Sequence, residues 1–267
     1  MKHNKIFTKY SLLAVLTVVA LSIVLSVLVN RNFRSLALAA QEKPGKGRDE
    51  QNEKDKMPIA FSSASLPDDP AERPLRLARS SRYNKRHTVP FDEDPNTGGR
   101  SSINEWYLYI PALPTSESDA VVLGKVVVAR GYLSLDKTGA YSEFTIIVEQ
   151  IFKDGRRSMT PGNSVVAERE GANVKLPDGR VIRYQIAYQG MPQIGRRYVL
   201  FLKYNEQGED YQVLTGYEVR EARVFPLDEA DHFAAYTKLD EETFLNAVRE
   251  AVVHPPRAPR RNGELSQ

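Results

Sequence analysis

The sequence contains no cysteine, only four histidines and a single tryptophan among its 267 residues. Without cysteine the chain has no disulfide bonds, no thiolate metal ligands, no cysteine nucleophile and no lipidated cysteine of the lipoprotein kind. The four histidines lie far apart in the sequence, which leaves little for a histidine metal site. The sequence also lacks a glycine-rich phosphate loop and the H-E-x-x-H and G-x-S-x-G motifs. We therefore predict no catalytic residues, no metal site and no cofactor.

Basic side chains are unevenly distributed along the chain, whose net charge is +3. Residues 1–100 hold 17 basic against 11 acidic side chains, whereas residues 117–228 hold 15 of each sign. A nucleic-acid-binding domain is expected to carry the basic excess on its folded part. Because the strand-rich part of this chain is electrically balanced, its composition argues against nucleic acid as a partner.

Residues 11–29 form an apolar run in which serine and threonine are the only polar residues. A helix of this length spans about 28 Å, close to one hydrocarbon core. Three lysines precede the run, which places residues 1–10 in the cytoplasm. We predict a single-pass anchor in the inner or cell membrane, with the rest of the chain outside the cytoplasm. The alternative is a signal peptide cleaved near Ala39, which would leave a periplasmic or secreted protein.

Residues 30–116 are predicted to be a flexible tether. The stretch 41–56 mixes charges with little apolar content, and six prolines fall between residues 58 and 95. We expect at most one short helix in this region, near 71–80.

A cluster of basic side chains in residues 73–87 is the candidate binding feature of the tether. The composition of this segment favours solvated side chains of a tether without a partner. The alternative, and the role that we expect if the cluster has one, is contact with an anionic surface, such as lipid headgroups or a cell-wall polymer. The cluster consists of Arg73, Arg76, Arg79, Arg82, Lys85 and Arg86.

Strand patterns begin after residue 119. In residues 141–152, for example, Phe144, Ile146 and Val148 alternate with polar residues, which is typical of a strand with one buried face. Short strands without intervening helices favour an antiparallel barrel or sandwich. The predicted strands are 120–130, 141–152, 163–169, 172–176, 181–188, 197–204, 210–216 and 219–226. We assign residues 117–228 to this β-domain.

A single helix is predicted after the strands, within residues 229–253. Asp240 is a favourable N-cap, and Pro255 and Pro256 end the pattern. Residues 254–267 are predicted to be disordered. The apolar stripe that should pack on the β-domain consists of Phe244, Leu245, Val248, Ala251 and Val252.

The order of these segments resembles a known family. The segments "SDAVVLGKVV" and "YSEFTIIVEQIFKD", a Pro161-Gly162 turn and "GRRYVLFLKY" are similar to the netrin-type (NTR/TIMP-like) layout and to exported bacterial proteins with the same arrangement. The resemblance covers residues 118–226 and implies an antiparallel OB-like barrel with, at most, a binding role. Netrin-type inhibitors of metalloproteases present an amino-terminal cysteine to the zinc ion. Since this chain has no cysteine, that activity is not implied here.

Three short motifs resemble chemical signatures without meeting their requirements. Residues 134–139 match both S-x-x-K and K-T-G, but a single lysine would have to serve both motifs, so we interpret them as a loop between strands. Residues 92–98 resemble the start of an EF-hand loop, but the twelfth position is Ile103 where a glutamate is needed. The acidic cluster Asp228, Glu229 and Asp231, beside His232, is interpreted as capping of a helix entry.

These observations predict a non-enzymatic, membrane-tethered binding module outside the cytoplasm, whose partner is an envelope protein or an anionic polymer. One alternative is a cell-envelope enzyme that uses a serine or carboxylate site not recognisable from the sequence. Another is a structural spacer.

Overall fold

Most of the regular structure is β-strand. The computed structural model describes residues 57–64, 67, 69–85, 88–93, 99–103 and 105–256. The strands in this part of the chain are β1 (Ile59–Phe61), β2 (Gly99–Ser102), β3 (Ala120–Leu133), β4 (Ala140–Asp154), β5 (Ser164–Glu170), β6 (Ala172–Lys175), β7 (Val181–Ile186), β8 (Arg197–Asn205), β9 (Asp210–Arg220) and β10 (Arg223–Pro226). The α-helices are α1 (Glu72–Ser81) and α2 (Glu241–Val253), and short 3₁₀ helices span Phe91–Glu93, Glu105–Leu108 and Asp231–Tyr236. The prediction of a mainly β fold with few helices is confirmed.

Six strands form the larger sheet in the order β10-β9-β5-β4-β3-β8, and β9 pairs with β8 as well. Five of them, β3, β4, β5, β9 and β8, therefore form a ring in which each strand pairs with two others of the ring, while β9 also pairs with β10. Every pair in this ring is antiparallel except β5 with β9. The arrangement gives β4, β5 and β9 one continuous outward face.

The smaller sheet has the order β1-β6-β7-β2. Its central pair is antiparallel, whereas each outer strand runs parallel to its neighbour. Both outer strands come from the segment predicted to be a tether. They are only three and four residues long, too short to show an alternation in the sequence.

Both faces of the larger sheet are buried along β8. Leu200 packs with Val122 of β3 and Phe144 of β4 in one apolar cluster. The next residue, Phe201, belongs to a second cluster, which also contains Phe244 and other residues of α2. A strand buried on both faces needs apolar residues at consecutive positions, which explains the run Val199–Leu202.

Helix α2 forms as its sequence predicts. The Asp240 carboxylate accepts a hydrogen bond from the backbone N–H of Thr243 at 2.9 Å, as an N-cap does. The stripe of apolar residues packs against the larger sheet, with Phe244 and Val248 completely buried. Of the tail predicted to be disordered, residues 254–267, the part from residue 257 onward lies outside the described residues.

The last two strands of the larger sheet are divided differently from the prediction. The sequence places a break between residues 216 and 219, but β9 continues to Arg220 and the turn to β10 consists of Glu221 and Ala222. Both turn residues have a positive φ, 53° and 55°. Neither is the glycine or asparagine that would indicate such a turn in a sequence.

The described residues between 57 and 116 do not form the flexible tether that their composition predicts. They form β1, α1 and β2, and Ala60 and Phe91 are completely buried. The predicted anchor, residues 11–29, and the stretch 30–56 lie outside the described residues. Within the described part of the chain, no helix has the length and apolarity needed to cross a membrane.

Candidate functional site: a carboxylate face covered by a basic helix

Three carboxylates lie on the outward face of β4, β5 and β9. Neighbouring residues of a strand point to opposite faces, and the neighbours Phe144, Ala167 and Tyr211 all belong to the apolar cluster inside the ring. Their adjacent residues, Glu143, Glu168 and Asp210, therefore point outward. Glu143 and Glu168 lie directly opposite each other in the β4–β5 register.

Helix α1 supplies the cations for these carboxylates. Arg76, Arg79 and Arg82 recur every third residue, so they share one side of the helix. Arg76 forms a two-pronged pair with Glu143. Arg82 bridges two carboxylates, with Nη1 2.5 Å from Glu168 Oε1 and Nη2 2.8 Å from Asp210 Oδ1. Arg79 lies between them, 3.4 Å from Glu143 and 3.3 Å from Asp210.

The same contact continues past the end of the helix. Lys85 Nζ lies 2.6 Å from Glu170 Oε1, an oxygen that also accepts a hydrogen bond from the Tyr184 hydroxyl at 2.6 Å. Four basic residues of this segment thus meet four carboxylates of the β-domain.

Aromatic rings fill the space between the charges. Tyr83 stacks on Tyr141 with ring centroids 4.6 Å apart, and Tyr132 also stacks on Tyr141, at 5.6 Å. The Arg76 guanidinium lies 3.7 Å from the centroid of the Tyr132 ring. These rings displace water from around the ion pairs, which strengthens the attraction between the charges.

Two loops at the end of the ring hold α1 in place. Gly208, in the loop between β8 and β9, accepts a hydrogen bond from Arg79 Nε at 2.8 Å. In the loop between β3 and β4, Leu135 donates its N–H to the Ser80 carbonyl, and the Thr138 hydroxyl accepts from the backbone N–H of Lys85 at 2.7 Å. Both loops therefore contact the C-terminal end of α1 and the residues that follow it.

Burial strongly affects the ionisation of this site. The side chains of Glu168 and Asp210 are completely buried, whereas those of Arg76, Arg79 and Arg82 keep 12–21% of their surface exposed. Burial, together with the neighbouring Asp210, raises the pKa of Glu168 well above its ordinary value, although Arg82 and the Tyr83 hydroxyl oppose this shift. The Oε2 atom of Glu168 is buried and has no hydrogen-bond partner in the described structure.

The tyrosine hydroxyls respond to the same environment. Burial raises the pKa of Tyr83 well above its ordinary value, and its hydrogen bond to Glu168 adds to the effect. Burial also raises the pKa of Tyr141 to about 12, despite the opposing effect of Arg76. Both hydroxyls therefore stay protonated at neutral pH and act as hydrogen-bonding groups.

The two α-helices are held by different forces. Helix α2 buries four apolar side chains. Helix α1, all ten residues of which are described, fully buries only Ser80, and its leucines, Leu75 and Leu77, are half-buried. Charge and hydrogen bonding, rather than apolar burial, therefore hold α1 on the sheet.

The predicted basic cluster thus lies largely against the protein itself. Four of its members, Arg76, Arg79, Arg82 and Lys85, are paired with carboxylates of the β-domain. Arg73 is exposed, and Arg86 lies outside the described residues. Contact of this cluster with an anionic surface stays a prediction. The spacing of three between the arginines predicts that they share one face of the helix. No local pattern predicts the carboxylates with which they pair, because these lie more than 60 positions away in the sequence.

The short motifs have structural roles where they are described. Ser134 Oγ donates to Asp136 at 2.7 Å and accepts from the N–H of Gly139, so residues 134–139 form a hydrogen-bonded loop, as expected. Lys137 pairs with Asp92 at 2.9 Å. Residues 94–98 of the EF-hand-like segment lie outside the described residues. No group of three potential metal ligands occurs in the described part of the chain.

The acidic cluster at residues 228–232 places Asp231 in the first turn of a helix, as the sequence predicts, but Asp228 does not cap that helix. The 3₁₀ helix that begins at Asp231 has no side-chain cap, and Asp228 is instead buried with Arg169, whose Nη2 lies 2.8 Å from Asp228 Oδ2. Thr215 and the N–H of Gly190 donate to the same carboxylate. Asp228 is buried because it is the counter-ion of the buried Arg169.

No model of a protein family matches the sequence, and no curated protein matches it.

Proposed function

We propose that the chain is a non-enzymatic binding module held at the membrane by residues 11–29, with its β-domain outside the cytoplasm. In this proposal the ring β3-β4-β5-β9-β8 is an OB-like barrel, and its partner is an envelope protein or polymer. Cleavage near Ala39 would leave the same module free in the periplasm or secreted.

The position of α1 supports this proposal. OB folds take their ligands on the face of the second and third barrel strands, between the loop that joins strands 1 and 2 and the loop that joins strands 4 and 5. In this chain the corresponding elements are β4 and β5, the loop 134–139 and the loop 206–209. Helix α1 lies on that face and contacts both loops through Leu135 and Gly208.

The nature of the contact adds to the argument. A helix that belongs permanently to a core usually buries an apolar stripe, as α2 does. Helix α1 instead meets the sheet through arginines that keep 12–21% of their surface exposed, as the polar parts of protein interfaces do. We infer that this face is a recognition surface and that α1 occupies it in the absence of a partner.

Site-specific crosslinking tests the proposal. A photo-reactive amino acid is placed at Ser81, which is exposed beside the face, in the full-length protein in its own cells. The matched position is Val253, which is 68% exposed at the end of α2. A discrete adduct from Ser81 that Val253 does not give would support a partner on this face. Absence of an adduct from Ser81, or the same adducts from both positions, would contradict it.

A further inference from the structure

The carboxylate face is unfavourable unless cations cover it. Glu143 and Glu168 are directly opposite on antiparallel strands, where two like charges destabilise a sheet. Asp210 is close enough to Glu168 to raise the pKa of that carboxyl. An uncovered face would therefore carry three mutually repelling carboxylates, so the sheet is built to hold a cationic ligand here.

Helix α1 shows which cationic ligand fits. Arginines at i, i+3 and i+6 place three guanidinium groups in one row, matched to carboxylates on three adjacent strands. Arg76 donates to both oxygens of Glu143 from two nitrogens, and Arg82 spans Glu168 and Asp210 with Nη1 and Nη2. The planar guanidinium permits both arrangements, whereas the single ammonium of lysine does not. The half-buried Leu75 and Leu77 add a small apolar contribution.

We propose that the outward face of β4, β5 and β9 is a docking surface for an arginine-rich amphipathic helix of a partner protein, and that α1 is the intramolecular occupant with which this helix competes. The proposal rests on the proposed function, since it names the partner of that same face. The charge complementarity between the arginine row and the three carboxylates carries it.

A foreign helix fits the chain better than an exchange of α1 between two copies. Helix α1 lies between β1 and β2 in the sequence, and both strands pair within the smaller sheet. The segment is thus anchored on each side, and a displaced α1 stays close to its own face. This tethering gives α1 an effective concentration on the order of millimolar, so a competing helix binds the wild-type chain more weakly than it binds an open face.

The probe for the test is a fluorescent peptide with the sequence of residues 72–85, and the receptor is the full chain in zwitterionic detergent. Two matched double variants weaken the docking of α1 in opposite ways. R76Q/R79Q removes cations from α1 and keeps the carboxylates, whereas E143Q/D210N removes carboxylates and keeps the cations. A peptide with glutamine at positions 76, 79 and 82 is the control ligand.

We expect the peptide to bind R76Q/R79Q at least 10-fold more tightly than the wild type, because the face is more often open. We expect E143Q/D210N to bind it at least 10-fold more weakly than R76Q/R79Q does, and the control peptide to bind neither. Equal binding to the two variants, or equal binding of the two peptides, would overturn the proposal.

Gly139→Ala provides a variant that leaves every charge in place. A Cβ at this position would lie 2.2 Å from the Tyr83 carbonyl oxygen, so the loop 134–139 and the segment after α1 must move apart. We expect G139A to bind the peptide more tightly than the wild type while hydrogen exchange in α2 stays unchanged, which shows that the fold is kept. With α2 exchange unchanged, failure of G139A and R76Q/R79Q to gain affinity would overturn the proposal even if E143Q/D210N does not fold.

Sedimentation separates a foreign helix from exchange between copies. If R76Q/R79Q forms a concentration-dependent dimer and E143Q/D210N does not, the face binds a second copy of this chain and not a partner helix, which would overturn the proposal. If the peptide binds as expected but the Ser81 crosslink is absent, the docking surface stands and the proposed function fails. If the crosslink forms but the peptide does not bind, the proposed function stands and the docking surface for an arginine-rich helix fails.

Discussion

Glu143 and Glu168 face each other directly across the antiparallel strands β4 and β5, and the same helix neutralises both of them. Arg76 covers one carboxylate and Arg82 the other, so the stability of the sheet at this point depends on a segment that precedes it by more than 60 residues. From this coupling between a basic helix and an acidic sheet face we predict the effects of substitutions and of pH on stability.

The Arg76–Glu143 pair should stabilise the fold measurably. Both side chains are largely buried, at 14% and 10% exposure. In a double-mutant cycle with R76M and E143Q, we expect a coupling free energy of about 1–3 kcal/mol from urea unfolding. The matched pair is Arg156–Glu206, which is solvent-exposed with 3.6 Å between its charged atoms and should couple by less than about 1 kcal/mol. Similar coupling energies for the two pairs would contradict the assigned role of burial.

Glu168 should give the protein a specific dependence on pH. Because its pKa is raised in the folded state, the folded protein retains a proton that the unfolded chain releases above its ordinary value of 4.5. The contribution of Glu168 is therefore fully present below that pH, and it is lost as the pH rises through the folded-state pKa. We expect E168Q to flatten this part of the curve of unfolding free energy against pH.

Urea unfolding between pH 4 and pH 8 measures this effect. The control is Glu206→Gln, since the Glu206 side chain is 85% exposed and should leave the pH profile unchanged. If the unfolding free energies of the wild type and E168Q rise in parallel with pH over this window, Glu168 does not cause the pH dependence of the wild type.

The strands of the larger sheet and helix α2 could be predicted from the sequence because their determinants are local. Alternation at Phe144, Ile146 and Val148 is a property of one strand, and the Asp240 cap lies three residues from the group that it binds. The boundary between β9 and β10 is the exception, because its turn consists of Glu221 and Ala222 rather than glycine or asparagine.

The carboxylate face could not be predicted in the same way. The row of arginines in α1 is visible in the sequence, but Asp210 is 128 positions from Arg82, and the register that brings Glu143 opposite Glu168 depends on the pairing of whole strands. A basic segment with few apolar residues has the composition of a solvated tether. Only the folded sheet shows where its charges are neutralised.

The buried pair Arg169–Asp228 should contribute more to stability than any exposed carboxylate near it. Both side chains are buried, and Asp228 accepts additional hydrogen bonds from Thr215 and Gly190. We expect Asp228→Ala to cost about 3–5 kcal/mol of unfolding free energy, because an arginine is left buried without its counter-ion. The neighbouring Glu229 is exposed, and Glu229→Ala should change the free energy by less than about 0.5 kcal/mol. A small effect of Asp228→Ala would mean that water reaches Arg169.

The different forces on the two helices should separate their local stabilities. Phe244 is completely buried beneath α2, and Phe244→Ala should lower the global unfolding free energy by about 3–5 kcal/mol. Helix α1 depends on charge, so R76Q/R79Q should accelerate hydrogen exchange of the α1 amides at least 10-fold while those of α2 keep their wild-type rates. Hydrogen-exchange mass spectrometry resolves both segments in a single experiment. If exchange in α1 and α2 rises together in R76Q/R79Q, α1 is part of the cooperative core and cannot be displaced on its own.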